Sequence, residues 1–338
     1  MAFTPVQIIG TQRSGSNLLR LMLNQLPEVS APHPPHILER IMPLLPVYGD
    51  LTIESQFDQL IDDVCTLVET NPVPWTAVTL DRAAIRVRCE APTLPEIAKA
   101  VYELKAQADG ARIWTCKSMA NIHYAAELEQ YSTPPRYIHL FRDGRDVALS
   151  FKKAIVSEKH AYHLAQQWKR EQEASIALYE KLGPGRVLRV RYEDLLKDPE
   201  TELRSICTFI GAQYSETALA YHESAESRET ANSGLMWQNV VKPVLTDNHR
   251  KFLAGLPEAD IRIFERVAGD TLEKLGYELV YKKDYTLFSA EEISDFSQIN
   301  QDLKKEFRSK LRPEDLEKRR AQEQLLKAIA DRLPLIPH

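Results

Sequence analysis

Apolar residues fall along this chain in two patterns: short unbroken runs, and longer stretches with apolar positions three and four apart. The run Val6-Gln7-Ile8-Ile9 predicts a buried parallel strand, and Arg112 to Lys117, Arg136 to Phe141 and Arg186 to Tyr192 predict three more strands. The second pattern predicts helices from Leu18 to Leu23, over 50–70 and 93–109, from Val147 to Ala154 and from Glu158 to Leu182, capped by Gly183. Two more run from Pro199, behind the capping residue Asp198, to Gly211, and from Pro257 to Leu275 before Gly276. Strands alternating with helices imply an α/β fold in three layers, a mostly parallel central sheet flanked by helices, with the strand C-termini along one edge.

Two stretches break the alternation. Val29 to Pro46 is rich in proline, carries His33 and His36, and reads as a connector beside the ligand crevice. Residues 222–256 show few periodic signals and read as an ordered loop or lid. From about 285 the composition turns to mixed charge with helical spacing, including Asp302 to Lys310 and Pro313 to Leu333. We therefore expect a main domain over 1–284 and a helical C-terminal extension over 285–338, a candidate lid, docking element or homodimer surface.

Between the first strand and its helix lies Gly10-Thr11-Gln12-Arg13-Ser14-Gly15-Ser16-Asn17, which has the spacing of a Walker A loop. Strand, tight turn and helix in that order aim backbone N–H groups and a helix dipole at an anion. A Walker A loop continues with a lysine and a Ser/Thr that holds Mg²⁺, whereas Ser16 and Asn17 stand here and the positive charge sits at Arg13. Such a loop suits a phosphate or sulfate ester bound without a metal.

Composition narrows the classes. A chain of 338 residues, 43% of them hydrophobic, can bury a full α/β core. A net charge of −5 leaves no broad basic face, so neither nucleic acid nor a membrane surface is an expected partner. No apolar run approaches membrane-spanning length, and the first strand begins within a few residues of Met1, so we expect a soluble, cytoplasmic protein with no membrane insertion. Cys65, Cys89, Cys116 and Cys207 are far apart and suit reduced thiols better than a disulfide framework or a zinc site.

Parallel strands would bring Arg13, Lys117, Arg142 with Arg145, and the segment Lys242 to Lys251 to one sheet edge. For Arg142 and Arg145 the competing reading is pairing with Asp143 and Asp146. A nucleotide with phosphates at both ends needs two anion sites about one nucleoside apart. The loop after strand one and a cationic turn after another strand supply them.

These residues resemble the sulfotransferases that use 3'-phosphoadenosine 5'-phosphosulfate (PAPS). The loop from Thr11 to Leu18 is similar to the family's 5'-phosphosulfate loop, which would give Gln12, Arg13, Ser14, Gly15, Ser16 and Asn17 to the cofactor. Tyr137 to Ser150 is similar to its 3'-phosphate motif, in which Arg142 and, eight residues on, Ser150 would hold the 3'-phosphate. Arg189 to Leu195 followed by Asp198-Pro199 resembles a further segment whose tyrosine, here Tyr192, lies near the adenine. Lys117 matches a lysine at a strand end and would act as a second cation near the bridging oxygen. Trp237, Lys242-Pro243 and Arg250-Lys251 look like a late basic cluster of many bacterial members, so that Lys242, Arg250 or Lys251 would close over the 3'-phosphate. The resemblance covers roughly 6–280 and implies a P-loop-like fold, with 3'-phosphoadenosine 5'-phosphate (PAP) as the product nucleotide. The transferred sulfuryl group carries less charge than a phosphoryl group, so fixed cations can replace Mg²⁺.

An acceptor hydroxyl must also lose its proton, which calls for a histidine or carboxylate. Cytosolic members of that family have a histidine two residues after the lysine, but Met119 stands there. Tyrosylprotein members have a glutamate about twenty residues beyond the loop, which here falls on His33-Pro34. His33 is therefore the first candidate base, followed by His36, Glu39 and His123. We expect sulfuryl transfer to the hydroxyl or amine of a small-molecule or metabolite acceptor. A P-loop kinase and a non-catalytic nucleotide-binding scaffold are the competing readings.

Overall fold

The computed structural model describes residues 2–154, 157–233, 235–310 and 313–332. Five strands, β1 (Thr4–Ile9), β2 (Val29–Ser30), β3 (Ile113–Cys116), β4 (Arg136–Phe141) and β5 (Val187–Arg191), form one sheet in the order β2-β3-β1-β4-β5. Every neighbouring pair is parallel. β1 and β4 are buried almost throughout because both sheet faces are covered, and for that reason they read as nearly continuous apolar runs, broken by the buried Gln7 and His139. Their alternate residues serve opposite cores. Val6, Ile8, Ile138 and Leu140 pack with α1 (Ser16–Leu23), and Ile9 and Tyr137 face the helices of the other layer.

That other layer holds α2 (Ile37–Ile41), α3 (Glu54–Glu69), α4 (Arg82–Arg88) and α5 (Leu94–Ala108). After β3 come a 3-10 turn (Met119–Tyr124) and the single turn α6 (Ala125–Leu128). α7 (Gly144–Lys152) follows β4 and packs with the long α8 (Ala161–Leu182), whose buried Trp168 meets Phe264 of a later helix at 5.8 Å. Full burial of such a ring contributes roughly 1.5–3 kcal/mol. Beyond β5 are α9 (Tyr192–Lys197) and α10 (Pro199–Ile210), the latter capped by the Asp198 side chain and ended by Gly211. Then come α11 (Ala225–Asn232), α12 (Phe252–Gly255) and α13 (Glu258–Lys274). The extension supplies α14 (Ala290–Ser309), which packs on α8, and α15 (Pro313–Ala330), which packs on α3. Leu333, where the expected last helix was to end, lies outside the described residues.

The connector over 29–46 is more regular than its prolines suggest, since β2 and α2 lie within it. β2 is a two-residue edge strand on β3, too short to leave a periodic signal. The segment 222–256 is largely helical as well: α11 and a 3-10 turn (Leu235–Val241) were hidden because α11 buries Ser227 and Thr230, not an apolar stripe. Among the described residues no helix is long and apolar enough to cross a membrane.

Connections leave β1 and β4 in opposite directions along the sheet, so these adjacent strands form the switch point of the fold. Its crevice lies beyond their C-terminal ends, where both cationic turns stand.

Candidate active site

The turn after β1 is held by its backbone. Gly10 has φ 124°, and a Cβ there would lie 2.5 Å from the Leu140 carbonyl oxygen, so only glycine lets β1 and β4 stay this close. Arg13 and Gly15 are left-handed, at φ 72° and 86°, and Gly15 is the N-cap of α1. A buried polar chain fixes the turn from below: His139 Nε2 donates to Gln172 Oε1 (2.8 Å), and Gln172 Nε2 donates to Thr11 Oγ1 (3.0 Å). Burial lowers His139 to about 4, so its ring is neutral and serves as a fixed donor.

The turn after β4 meets the first one directly. Arg13 Nε donates to Ser150 Oγ at 3.0 Å, and Arg142 donates to the carbonyls of Arg13 (3.2 Å) and Asn248 (2.9 Å). The Arg142 guanidinium lies 4.6 Å above the Tyr192 ring, whose hydroxyl accepts from Asn248 Nδ2 at 2.8 Å. Asp146 accepts from the backbone N–H groups of Arg250 (2.6 Å) and Phe252 (2.9 Å), and so anchors the late loop. Burial and the nearby Arg142 lower Arg13 to about 10, a sign of cations held together for an anion.

A cavity of about 610 Å³ joins these groups to a second cluster. Lys117, at the C-terminal end of β3, stands between the two; burial, then Arg20 and Arg13, lower it to about 7. On its far side are His33, His36, Glu39, Asn71 and Trp237. Asn71 Nδ2 donates to the carbonyls of His33 (3.1 Å) and Val73 (3.0 Å), and faces His33 Nδ1 at 3.3 Å. The Nε2 atom of His33 is buried without a partner. Burial, with Lys117 and Arg20 nearby, holds His33 well below the usual histidine range. His36 has a left-handed backbone (φ 60°), and its Nδ1 meets Glu39 Oε2 at 2.9 Å, outside hydrogen-bond alignment. Trp237 stands edge-on to His33 at 5.4 Å. α11 holds that segment in place, since fully buried Arg20 donates to Glu226 and to Thr230 Oγ1 (3.1 Å).

Of the expected site residues, Gln12, Arg13, Gly15, Ser16, Asn17, His33, His36, Lys117, Arg142, Ser150, Tyr192 and Lys251 line this one cavity. Ser14 is buried beneath the turn, with its Oγ unpartnered. Lys242 and Arg250 do not line it: both are exposed, Lys242 meets Tyr221 only through its carbonyl (2.7 Å), and Arg250 meets Asp146 through its N–H. Arg145 is turned away into pairs with Asp143 (2.7 Å) and Glu265, which tie α7 to α13. His123 also lies outside the cavity lining. Asn248, Arg40 and Arg319 line it without having been foreseen, because each sits in polar sequence with no motif around it.

A family model described as "Sulfotransferase family" matches residues 5–216. The chain is 24% identical over 280 residues to protein-tyrosine sulfotransferase A of Caenorhabditis elegans, covering 80% of this chain and 66% of that one. It is 23% identical over 277 residues to protein-tyrosine sulfotransferase 2 of Gallus gallus, covering 80% and 68%. It therefore spans about two thirds of the length of these relatives. Among solved structures, the sulfotransferase domain from the Synechococcus PCC 7002 olefin synthase superposes with a TM-score of 0.55 at 22% identity, over 82% of this chain and 96% of that domain. The sulfotransferase domain from the curacin biosynthetic pathway gives 0.50 at 20% identity, over 82% and 99%. At these identities the structural likeness shows the fold.

Proposed function

This chain belongs to the sulfotransferase family of enzymes, and from that premise we propose that it takes a sulfuryl group from PAPS to an acceptor hydroxyl without a metal ion. The observation that carries the donor reading is the joining of two anion turns across one cavity, with Arg142 Nε buried and unpartnered there. A nucleotide bearing phosphates at both ends fits such a donor set. PAPS supplies an activated sulfuryl group. Arg13 and the N–H groups at the start of α1 would hold its 5'-phosphate, Arg142 and Ser150 its 3'-phosphate, and Lys117 the charge that develops between donor and acceptor. Ser16 and Asn17 in place of the Walker A lysine and hydroxyl disfavour the kinase reading. The scaffold reading is disfavoured by a paired histidine and carboxylate at the other end of the cavity.

For the proton, the geometry favours His36 over His33. Glu39 lies 2.9 Å from His36 Nδ1 and would favour a proton on that atom, leaving Nε2 to accept, whereas burial and the Lys117 and Arg20 charges hold His33 well below the usual histidine range. The acceptor we propose is a phenol-type hydroxyl on a small molecule or a peptide. Its support is the mixed wall of His33, Pro34, Pro72 and Trp237, together with the names of the two relatives. We read the protein as cytoplasmic from its reduced cysteines, all four of which are free thiols.

The test is PAP release from PAPS in EDTA, over a panel of phenols, with pH–rate profiles of both histidine variants. His36→Ala should lower turnover by roughly 10²-fold or more and abolish the acidic limb, while His33→Ala keeps that limb. Loss of the limb in His33→Ala alone would move the base to His33.

A further inference from the structure

The C-terminal helix α15 lies beyond the matched residues 5–216, yet its side chains reach the core and the edge of the site. Ile329 is fully buried in the core that α3 and α5 share. Arg332 pairs with buried Asp63 (3.0 Å), which also accepts from the Tyr48 hydroxyl (2.8 Å). Lys318 donates to the Asn232 carbonyl beside the segment that carries Trp237. Among these anchors stands Gln322, only 2% exposed, whose Nε2 donates to the Leu67 carbonyl at 2.7 Å and whose Oε1 accepts from Arg40.

A carbonyl only accepts and a guanidinium only donates, so the group between them must do both, as an amide does with its two ends. Being neutral, the amide holds Arg40 without cancelling its charge. Arg40 sits on α2 beside Glu39, one turn after His36, and lines the cavity. α2 has five residues and starts at the left-handed His36 without a side-chain cap, so its place is set by what it packs on. Its apolar residues Ile37, Leu38 and Ile41 are buried, and Gln322 ties down its arginine. The groups facing His36 are Glu39 and Arg40 on its own helix, His33 on the connector and Lys117 at the end of β3. Burial lowers His36 most; Glu39 acts against that, and Lys117 and Arg40 add to it. His123 and Glu171 face Glu39 in turn, and Arg319 and Glu323 of α15 face Arg40.

We propose that Gln322 is a positioning residue: by holding Arg40 from the C-terminal helix, it fixes the place of α2 and so of the His36–Glu39 pair at the cavity. Gln322 does not itself line the cavity and acts through Arg40. The proposal rests on the reading of His36 as the base and adds what keeps it in place.

The test titrates His36 in the full, nucleotide-free chain by NMR of isotope-labelled histidine rings, with His36→Ala identifying its signal. Gln322→Met releases the Arg40 charge from its place beside His36, and the titration midpoint should rise by about half a pH unit or more. Arg40→Met should give a similar rise, and the double variant no more than Arg40→Met alone, because Gln322 acts through Arg40. In PAPS turnover with a phenol, Gln322→Met should lower kcat roughly 10-fold or more and leave PAP affinity within about twofold. Ile329→Val, which loosens the same helix without touching Arg40, should lower thermal stability and leave the midpoint and kcat unchanged. Should Gln322→Met not fold, Gln322→Asn, a methylene too short to reach both partners, is held to the same outcomes. An unmoved midpoint or kcat, additive shifts in the double variant, or an equal shift in Ile329→Val overturns the proposal. Turnover that survives His36→Ala, or is absent from the wild type, overturns the functional reading instead, and the titrations, which need no PAPS, still decide the tie between Gln322 and His36.

Discussion

Gly15 and Tyr192 are in direct contact: a Cβ on Gly15 would come within 3.0 Å of two carbons of the Tyr192 ring. The same ring carries the Arg142 guanidinium at 4.6 Å, so one side chain spaces the turn after β1 from the turn after β4. A ligand that reaches both turns must match the distance this ring sets.

Gly15→Ala should therefore damage the site on two counts, a clash with Tyr192 and a left-handed φ of 86°. The backbone term alone is about 1–2 kcal/mol. We expect PAP affinity to fall at least ~10-fold. Gly183→Ala, also at positive φ but with open space around it, should cost stability and leave PAP binding intact. Equal PAP affinity in the two variants would show that the Tyr192 contact does not shape the site.

Arg142→Ala should weaken PAP far more than AMP, because its guanidinium is assigned to the 3'-phosphate that AMP lacks. The expected difference is about 1.5–3 kcal/mol, the range for a hydrogen bond to a charged group. Calorimetry of both nucleotides reads it directly. Equal losses would make Arg142 a strut between Arg13 and Asn248.

Lys117 supplies a pH signature. Burial and neighbouring arginines lower it from 10.5 to about 7 in the nucleotide-free fold. Between those values the unfolded chain holds a proton that the folded chain has released, so this group's contribution to stability rises with pH across that window. An anion bound beside it restores the ammonium. PAP binding at pH 8 should then take up close to one proton, seen as a dependence of the binding enthalpy on buffer ionisation, and at pH 6 the uptake should vanish. Lys117→Met should raise the thermal stability of the free protein while weakening PAP. An enthalpy independent of buffer at pH 8 would mean that the lysine does not meet the anion.

Much of this site was legible in the sequence because its turns follow strands buried on both faces. β1 and β4 read as strands for that reason, and the turn at 10–15 and Arg142 could be placed from them. The acceptor side was harder. β2 has two residues, α2 begins at a left-handed His36, and α11 is held by Arg20, Glu226 and Thr230, none of which carries hydrophobic periodicity. Arg145 had a basic residue's promise but was claimed by Asp143 and Glu265, a choice made by α13, more than a hundred residues away. Arg319 stood in a mixed-charge tail whose destination only the packing of Gln322 and Ile329 reveals.

The tie between Arg20 and Glu226 gives a test of the lid segment. Arg20 is fully buried, and Glu226→Ala removes its charged partner, which should cost about 1–3 kcal/mol of stability. Trp237 should then lose its fixed place over His33, so that protease cleavage within 225–241 speeds up and acceptor KM rises more than PAP affinity falls. Unchanged cleavage would place the anchor of that segment elsewhere, for instance at Lys318.

The most direct measurement is calorimetric titration of the purified protein, with EDTA present, against PAP, AMP and ATP. Tight PAP binding without metal, and PAP preferred over both AMP and ATP, is the result this account predicts. Preference for ATP, or binding that appears only with Mg²⁺, would contradict it.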